Sequence, residues 1–246
     1  MRALLLRFDA PLMSFGDVRV DARGPVRDHP GLGQVTGLFG NGLGYDHAET
    51  GCLTRLQERL RLASRCDRTG ERRTDFQTVD LGQEFMQEGW TTRGTTEGRK
   101  GGVASEGTHI RLRQFHNGRV QTLAVTLLPS DEAPTLDDLA AALDAPARPL
   151  FLGRKPCIPS GRLHLGIVEA DSLHAALALA PPWKHRHGRA APAPMAAWWP
   201  EDPTVPPPAD SRVVAVVDER DWRGQVVVGR RLIRVGRVTP TEAIHA

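Results

Sequence analysis

Ile110-Arg-Leu-Arg-Gln-Phe-His-Asn-Gly-Arg-Val-Gln-Thr-Leu-Ala-Val-Thr-Leu127 is the stretch whose reading sets the fold. Two runs of strand character, Ile110–Phe115 and Val120–Leu127, flank His116-Asn117-Gly118-Arg119. Asn-Gly between strands signals a two-residue type I′ hairpin, because both central residues take positive φ. An antiparallel hairpin in mid-chain argues against an all-parallel sheet. The segments on either side then decide what kind of mixed fold holds it.

Toward the N-terminus, Arg2–Phe8 reads as a buried first strand ended by Asp9-Ala10-Pro11, with a Gly- and Arg-containing loop after it. In Gln34–Gly44, Val35, Leu38, Phe39 and Leu43 fall at helical spacing. Its glycines each cost about 1 kcal/mol of helix stability relative to Ala, so this helix needs tertiary packing, and the bare positions admit a neighbouring backbone. Leu53–Leu56 reads as a short helical turn and Leu60–Asp67 as a half-buried strand. Leu81–Thr108 is rich in Gly, Thr, Gln and Glu without sustained period, a length of loop that is functional or disordered in a compact domain.

Toward the C-terminus, Thr135-Leu-Asp-Asp138 has the outline of a capping box and starts a helix to Leu143. Leu163–Ala170 reads as a strand, Asp171 as the cap of a helix Ser172–Leu179, and Ala180–Asp210 as a Pro-rich, irregular stretch. Val213–Val217 and Val226–Val235 close the chain as strands. Alternating helices and antiparallel strands predict an α+β sandwich of ferredoxin-like kind, with helices on one sheet face.

Composition narrows the function classes. At 246 residues, 40% hydrophobic and 25% charged, the chain matches an ordinary globular protein. No apolar run approaches the roughly 18–20 residues of a membrane span, and no signal peptide is evident, so the expectation is a cytoplasmic protein. Cys52, Cys66 and Cys157 are odd in number and widely spaced, which predicts core or near-core thiols rather than a disulfide framework or zinc site. Residues 148–246 hold 14 Lys+Arg against 9 Asp+Glu, whereas the first 147 hold 18 against 20. Only Lys100, Lys155 and Lys184 among the 32 cations are lysine. Arginine suits phosphate and base stacking, although codon bias produces the same enrichment.

The densest candidate for chemistry is Arg148-Pro-Leu-Phe-Leu-Gly-Arg-Lys-Pro-Cys157, where Arg154 and Lys155 follow a glycine and residues 148–166 carry four cations and no acid. Such a turn can neutralise phosphate; a solvated basic loop is the plain alternative. A second strip, Arg220–Arg237, divides between two faces if it is a strand, because Arg230 and Arg231 are adjacent. Lys184-His-Arg-His-Gly-Arg189 lacks partners for a metal. No nucleophile elbow, metalloprotease, phosphate-loop or paired-carboxylate pattern is present. A metal-independent ribonuclease would need convergent His, Tyr or Lys, and Tyr45 is the single tyrosine. The expectation is therefore no enzyme, no cofactor and no metal.

Four segments in order resemble the CasD family of CRISPR-associated RAMP proteins, in the form found in subtype I-E. They are Leu5-Leu-Arg-Phe-Asp-Ala-Pro-Leu-Met-Ser-Phe-Gly16, His29-Pro-Gly-Leu-Gly-Gln-Val-Thr-Gly-Leu-Phe-Gly-Asn-Gly-Leu-Gly44, Phe76-Gln-Thr-Val79, and Pro149-Leu-Phe-Leu-Gly-Arg-Lys-Pro-Cys157. The last is the most specific. The resemblance implies a modified ferredoxin-like (RRM-like) domain over 1–80 and 109–180, a thumb insertion over 81–108, and a C-terminal part 181–246 that matches weakly. It also implies a non-catalytic subunit that caps the backbone filament and grips the 5′ handle of the crRNA. Its partners would be the CasC backbone subunit, the CasA large subunit and, through the complex, target DNA. Relatives in subtype I-C cleave precursor RNA with Tyr, His and Lys residues, which is the alternative. Site residues on this reading are Arg27, Arg154 and Lys155 on handle phosphates, and Phe15, placed either beside a handle base or in the core. Arg93, Arg99 and Lys100 are the thumb contacts to the guide backbone.

Overall fold

The protein is seen in a computed structural model that describes residues 1–19, 21–81, 83–84, 88–90, 95–98, 108–183, 194–203 and 206–241. The chain opens with β1 (Arg2–Asp9), β2 (Leu12–Met13) and β3 (Arg23–Gly24), then α1 (Leu32–Leu43) and α2 (Thr50–Arg59). There follow β4 (Leu60–Arg68), β5 (Glu71–Asp80), β6 (Glu88–Trp90), β7 (Thr96–Gly98), β8 (Thr108–Asn117) and β9 (Val120–Leu127). The rest comprises α3 (Leu136–Asp144), β10 (His164–Glu169), α4 (Leu173–Leu179), β11 (Met195–Pro200), β12 (Arg212–Val216), β13 (Glu219–Asp221), β14 (Val226–Val228) and β15 (Arg231–Val238).

Seven strands form one antiparallel sheet in the order β10-β1-β9-β4-β11-β15-β12. Its first four are the ferredoxin-like unit: β1, β4, β9 and β10 are first, second, third and fourth in the chain, arranged fourth-first-third-second. The helices α1 and α3 that connect them pack on each other. The fold is thus a modified ferredoxin-like α+β fold, extended on one side by C-terminal strands.

Strand periodicity explains the two layers. Along β1, Leu4, Leu6 and Phe8 enter the core under α1 and α3, where they meet Val35, Phe39, Leu139 and Leu143. The alternate residues Ala3 and Leu5 face α4 with Ala63, Ala124, Ala176 and Ala197. That second layer sets alanines of the sheet against Leu173 and Leu177 of α4, with Trp199 beside them. Arg65, fully buried beneath α4, donates to the carbonyls of Leu177 and Ala180 and to Asp67. It satisfies carbonyls that the end of α4 would otherwise bury unpaired.

The Asn117-Gly118 corner corrects the opening expectation. No ladder joins β8 to β9 among the described residues. β9 is buried along its whole length and has both edges occupied, by β1 and β4. β8 pairs instead with β5, β2 and β3 in a second sheet. Gly118 takes φ +64°, whereas Asn117 does not turn positive, so the double positive φ of a type I′ turn is absent. The corner passes the chain from one sheet to the other.

Other boundaries shift for local reasons. The predicted turn at Leu53–Leu56 is part of the ten-residue α2. β4 is buried on both faces, not half-buried, because it lies mid-sheet. Thr135 and Asp138 do form a reciprocal capping box on α3, but α4 is capped by Ser172, whose Oγ accepts from Ala175 N at 3.1 Å, rather than by Asp171. Within the Pro-rich stretch, the apolar run ending at Trp198-Trp199 supplies β11, between β4 and β15. The final predicted strand breaks at Gly229, which has φ +76°. Cys52 is exposed, while Cys66 and Cys157 are buried; all three are free.

β5 was not foreseen. It runs antiparallel to β8 for ten residues, from Glu71 opposite Asn117 to Asp80 opposite Thr108, and is exposed over most of its length. β6 and β7 pair beyond it, inside the predicted insertion. No helix among the described residues is long and apolar enough to cross a membrane.

Candidate nucleic-acid interface

A groove of about 600 Å³ opens where α1, the loop after β2, the Phe151–Cys157 turn and the β13–β14 hairpin meet. Three of the four recognised sequence segments therefore share one concavity.

Glycine makes the α1 wall. A Cβ at Gly33 would stand 3.0 Å from Arg220 Cβ, and one at Gly37 would stand 3.3 Å from Trp222 Cη2. These bare positions let the Asp218–Trp222 segment lie on the helix. Gly33 N donates to Asp218 O at 2.8 Å and Leu32 N to Asp218 Oδ2 at 3.0 Å, so Asp218 closes the helix start. Burial alone would raise the Asp218 pKa; two hydrogen bonds from Arg231 at 2.7 Å, its charge, Leu32 N–H and Arg27 outweigh that and lower it.

The opposite wall is the turn at Gly153, whose φ is +113°. An added Cβ there would overlap the Ser14 carbonyl oxygen and lie 2.9 Å from its carbon. The turn is pinned by Ser14 N donating to Leu152 O at 3.0 Å and Leu152 N to Cys157 O at 2.7 Å.

Against this frame the predicted contacts separate. Lys155 is exposed on the groove and has no partner among the described residues. Arg154 is half-buried: Nη1 donates to Gln114 O at 2.7 Å, Nη2 to Gly24 O at 3.3 Å, and its guanidinium sits 4.8 Å from the Phe115 ring centre. Arg154 holds the turn to β8 and β3 while leaving its charge at the groove. Arg27 is similarly engaged, with Asp17 at 2.7 Å, Val217 O at 3.1 Å and Asp218 at 4.0 Å. Phe15 is fully buried between Phe8 and His116, with ring centres 6.5 and 5.4 Å away, and so belongs to the core. Arg93, Arg99 and Lys100 lie outside the described residues.

A second concavity of about 200 Å³ shares Gly16, Asp17 and Arg154 with the first and adds Arg19, Arg111 and Arg113. Four guanidiniums line it with one carboxylate, Asp17, which is already paired with Arg27. Burial lowers the Arg154 pKa, and the charges of Arg113 and Arg19 lower it further against the opposing charge of Asp75. Sequence reasoning missed Arg19, Arg111 and Arg113. The period of two in Arg111-Leu-Arg113 puts both arginines on one strand face, and that signal was available.

Around the groove, some buried polar atoms find no hydrogen-bond partner among the described residues. Both amide atoms of Gln34, Trp222 Nε1, Arg220 Nε and Arg27 Nε are buried without partners. Among the described residues no three His, Cys, Asp or Glu side chains gather to hold a metal.

A family model described as CRISPR-associated protein (Cas_Cas5) matches residues 3–234. The chain belongs to that Cas5 family. Two solved structures resemble this Cas5-family chain over nearly its full length. One is a chain of a "CRISPR RNA-guided surveillance complex", with TM-score 0.69 and 23% identity, covering 97% of this chain and 90% of that one. The other, "Crystal structure of Cas protein", has TM-score 0.66 and 23% identity and covers 96% and 95%. At that identity they establish the shared fold. No curated protein matches.

Proposed function

We propose that this Cas5-family chain is a non-catalytic subunit of a CRISPR ribonucleoprotein, of the subtype I-E CasD kind, and grips the 5′ handle of crRNA in the joined concavities. The observation that carries this reading is their junction at Arg154. A groove bearing the exposed Lys155 runs there into a four-arginine pocket whose one acid is already paired. Joined concavities lined by cations suit the phosphates of a bent single strand. The β5–β8 ladder and the insertion at its end act as the thumb over the guide, beside a CasC backbone subunit. CasA docks nearby, target DNA is met through the complex, and the assembly works in the cytoplasm.

Catalysis has little support. His116 Nε2 donates to Arg27 O at 2.8 Å, which leaves the buried ring committed. Tyr45 follows the far end of α1 and packs half-buried against the core. One observation favours the I-C-like alternative: His47 and Lys155 line the same groove. Incubating the purified chain with labelled repeat RNA, with and without EDTA, is expected to give retention without scission. Specific scission abolished by His47→Ala would establish the nuclease reading instead.

A further inference from the structure

Three separate segments bring guanidiniums to the smaller concavity: Arg19 from the loop after β2, Arg111 and Arg113 from β8, and Arg154 from the Gly153 turn. Residues two apart on a strand share a face and stand about 7 Å apart, so Arg111 and Arg113 reach the same space. Arg19 is exposed and the other three are half-buried, so all four meet solvent. The donors they commit go to neutral carbonyls. Arg19 Nε donates to Asp21 O at 3.0 Å, Arg111 Nη1 to Ile110 O at 3.1 Å, and Arg154 to Gln114 and Gly24. The Arg113 side chain makes no hydrogen bond or ion pair among the described residues. Two carboxylates are near, and both are engaged. Asp17 pairs with Arg27 at 2.7 Å, and Asp75, opposite Arg113 in the ladder, accepts from Gln77 Nε2 at 2.6 Å. A Cβ at Gly24 would stand 2.8 Å from Arg154 Nη2, so the bare glycine gives that guanidinium its place among the others.

We infer that this pocket seats a phosphate monoester, the terminal phosphate of a strand or of a mononucleotide, rather than a phosphodiester within a continuous chain. A diester presents two unesterified oxygens and one negative charge. A monoester presents three such oxygens and nearly two charges at neutral pH. Each guanidinium fork pairs with two oxygens at once, so four forks around about 200 Å³ match the group richer in both oxygens and charge. The adjoining groove of about 600 Å³ has room for whatever the phosphate is attached to. As a strand end the ligand rests on the guide-RNA reading above, whereas the monoester seat stands on the pocket alone.

Fluorescence anisotropy on the full chain reads the difference, using 3′-labelled octa-adenylate RNA that carries a 5′-phosphate or a 5′-hydroxyl. Unlabelled AMP and adenosine serve as competitors. The expected result is roughly tenfold tighter binding of the phosphorylated strand, the gain of one added charge-assisted contact. AMP should displace that strand and adenosine should not. Arg111→Gln combined with Arg113→Gln should bring the two strands to equal affinity, and thermal melting would confirm that the variant is folded. Arg19→Gln, at an exposed loop position, should narrow the ratio without touching β8. AMP that competes as tightly as the phosphorylated strand binds identifies a mononucleotide as the ligand, and weaker competition identifies a strand end. Equal binding of the two strands, or a preference that persists in both folded variants, overturns the inference and leaves RNA binding standing. Binding of AMP without binding of either strand or of repeat RNA overturns the guide-RNA reading alone. Binding of none of them overturns both.

Discussion

Replacing Gly153 by alanine should damage the whole groove from one atom. Gly153 holds φ +113°, a conformation that costs an L residue about 1–3 kcal/mol. The new Cβ would also overlap the carbonyl of Ser14, which is backbone and cannot swing aside as a side-chain tip would. Relief requires separating the turn from the β2 loop, which breaks the 3.0 Å bond from Ser14 N to Leu152 O, about 1 kcal/mol more. The sum is about 3 kcal/mol, a large share of the 5–15 kcal/mol by which domains are stable. For a chain of this length that lowers Tm by about 10 °C. Gly161→Ala is the control, because its Cβ would meet nothing within 4 Å. Calorimetry of the two variants beside the parent decides the matter. If Gly153→Ala melts within about 2 °C of Gly161→Ala, the backbone argument is wrong and the Gly-Arg-Lys turn owes its glycine to something else.

Two further outcomes separate binding from structure and fix the pH response. Lys155→Ala should reduce the slope of log K against log salt for repeat RNA by about 1 with Tm unchanged. Arg154→Ala should lower Tm as well, since it removes two bonds to carbonyls and the Phe115 contact. An unaltered salt slope in Lys155→Ala would remove it from the RNA path. His29 is pushed down to about 4 by burial, opposed by its bond to Pro30 and the charge of Asp218 and aided by Arg27 and Arg231. A depressed histidine keeps its neutral form on folding. Its contribution is whole above the unfolded value near 6.5 and declines as pH falls from there toward 4. Urea unfolding should therefore show about 2 kcal/mol lost between pH 7 and pH 5 through this ring. His29→Phe, which keeps an aromatic face toward Trp198, should remove that loss, and an unchanged pH slope in the variant would refute the assignment.

The guanidiniums show how a motif is read correctly in place and differently in role. Gly153-Arg154-Lys155 was legible as a basic turn, and the turn does line the groove. Which cation is free was not legible, because that depends on carbonyls of Gln114 and Gly24 brought in from β8 and β3. Phe15 was open between a base contact and the core until Phe8 and His116 enclosed it. Arg19, Arg111 and Arg113 come together only once β3 pairs in parallel with β8.

Local information in the chain determined β1, α1, the Thr135 cap on α3, β10 and the order of elements that yields a ferredoxin-like unit. It also placed the glycines that α1 would need for close packing. Those features depend on periods, caps and turn chemistry within a few residues. Tertiary structure alone decided that β8 and β9 part company at Asn117-Gly118. Pairing is a competition for edges, and β1 and β4 occupy both edges of β9. It alone put Trp198 and Trp199 of the Pro-rich stretch into the main sheet. And it alone left the Gln34 amide without a partner among the described residues, because a missing partner is defined by every neighbour at once and not by any spacing along the chain.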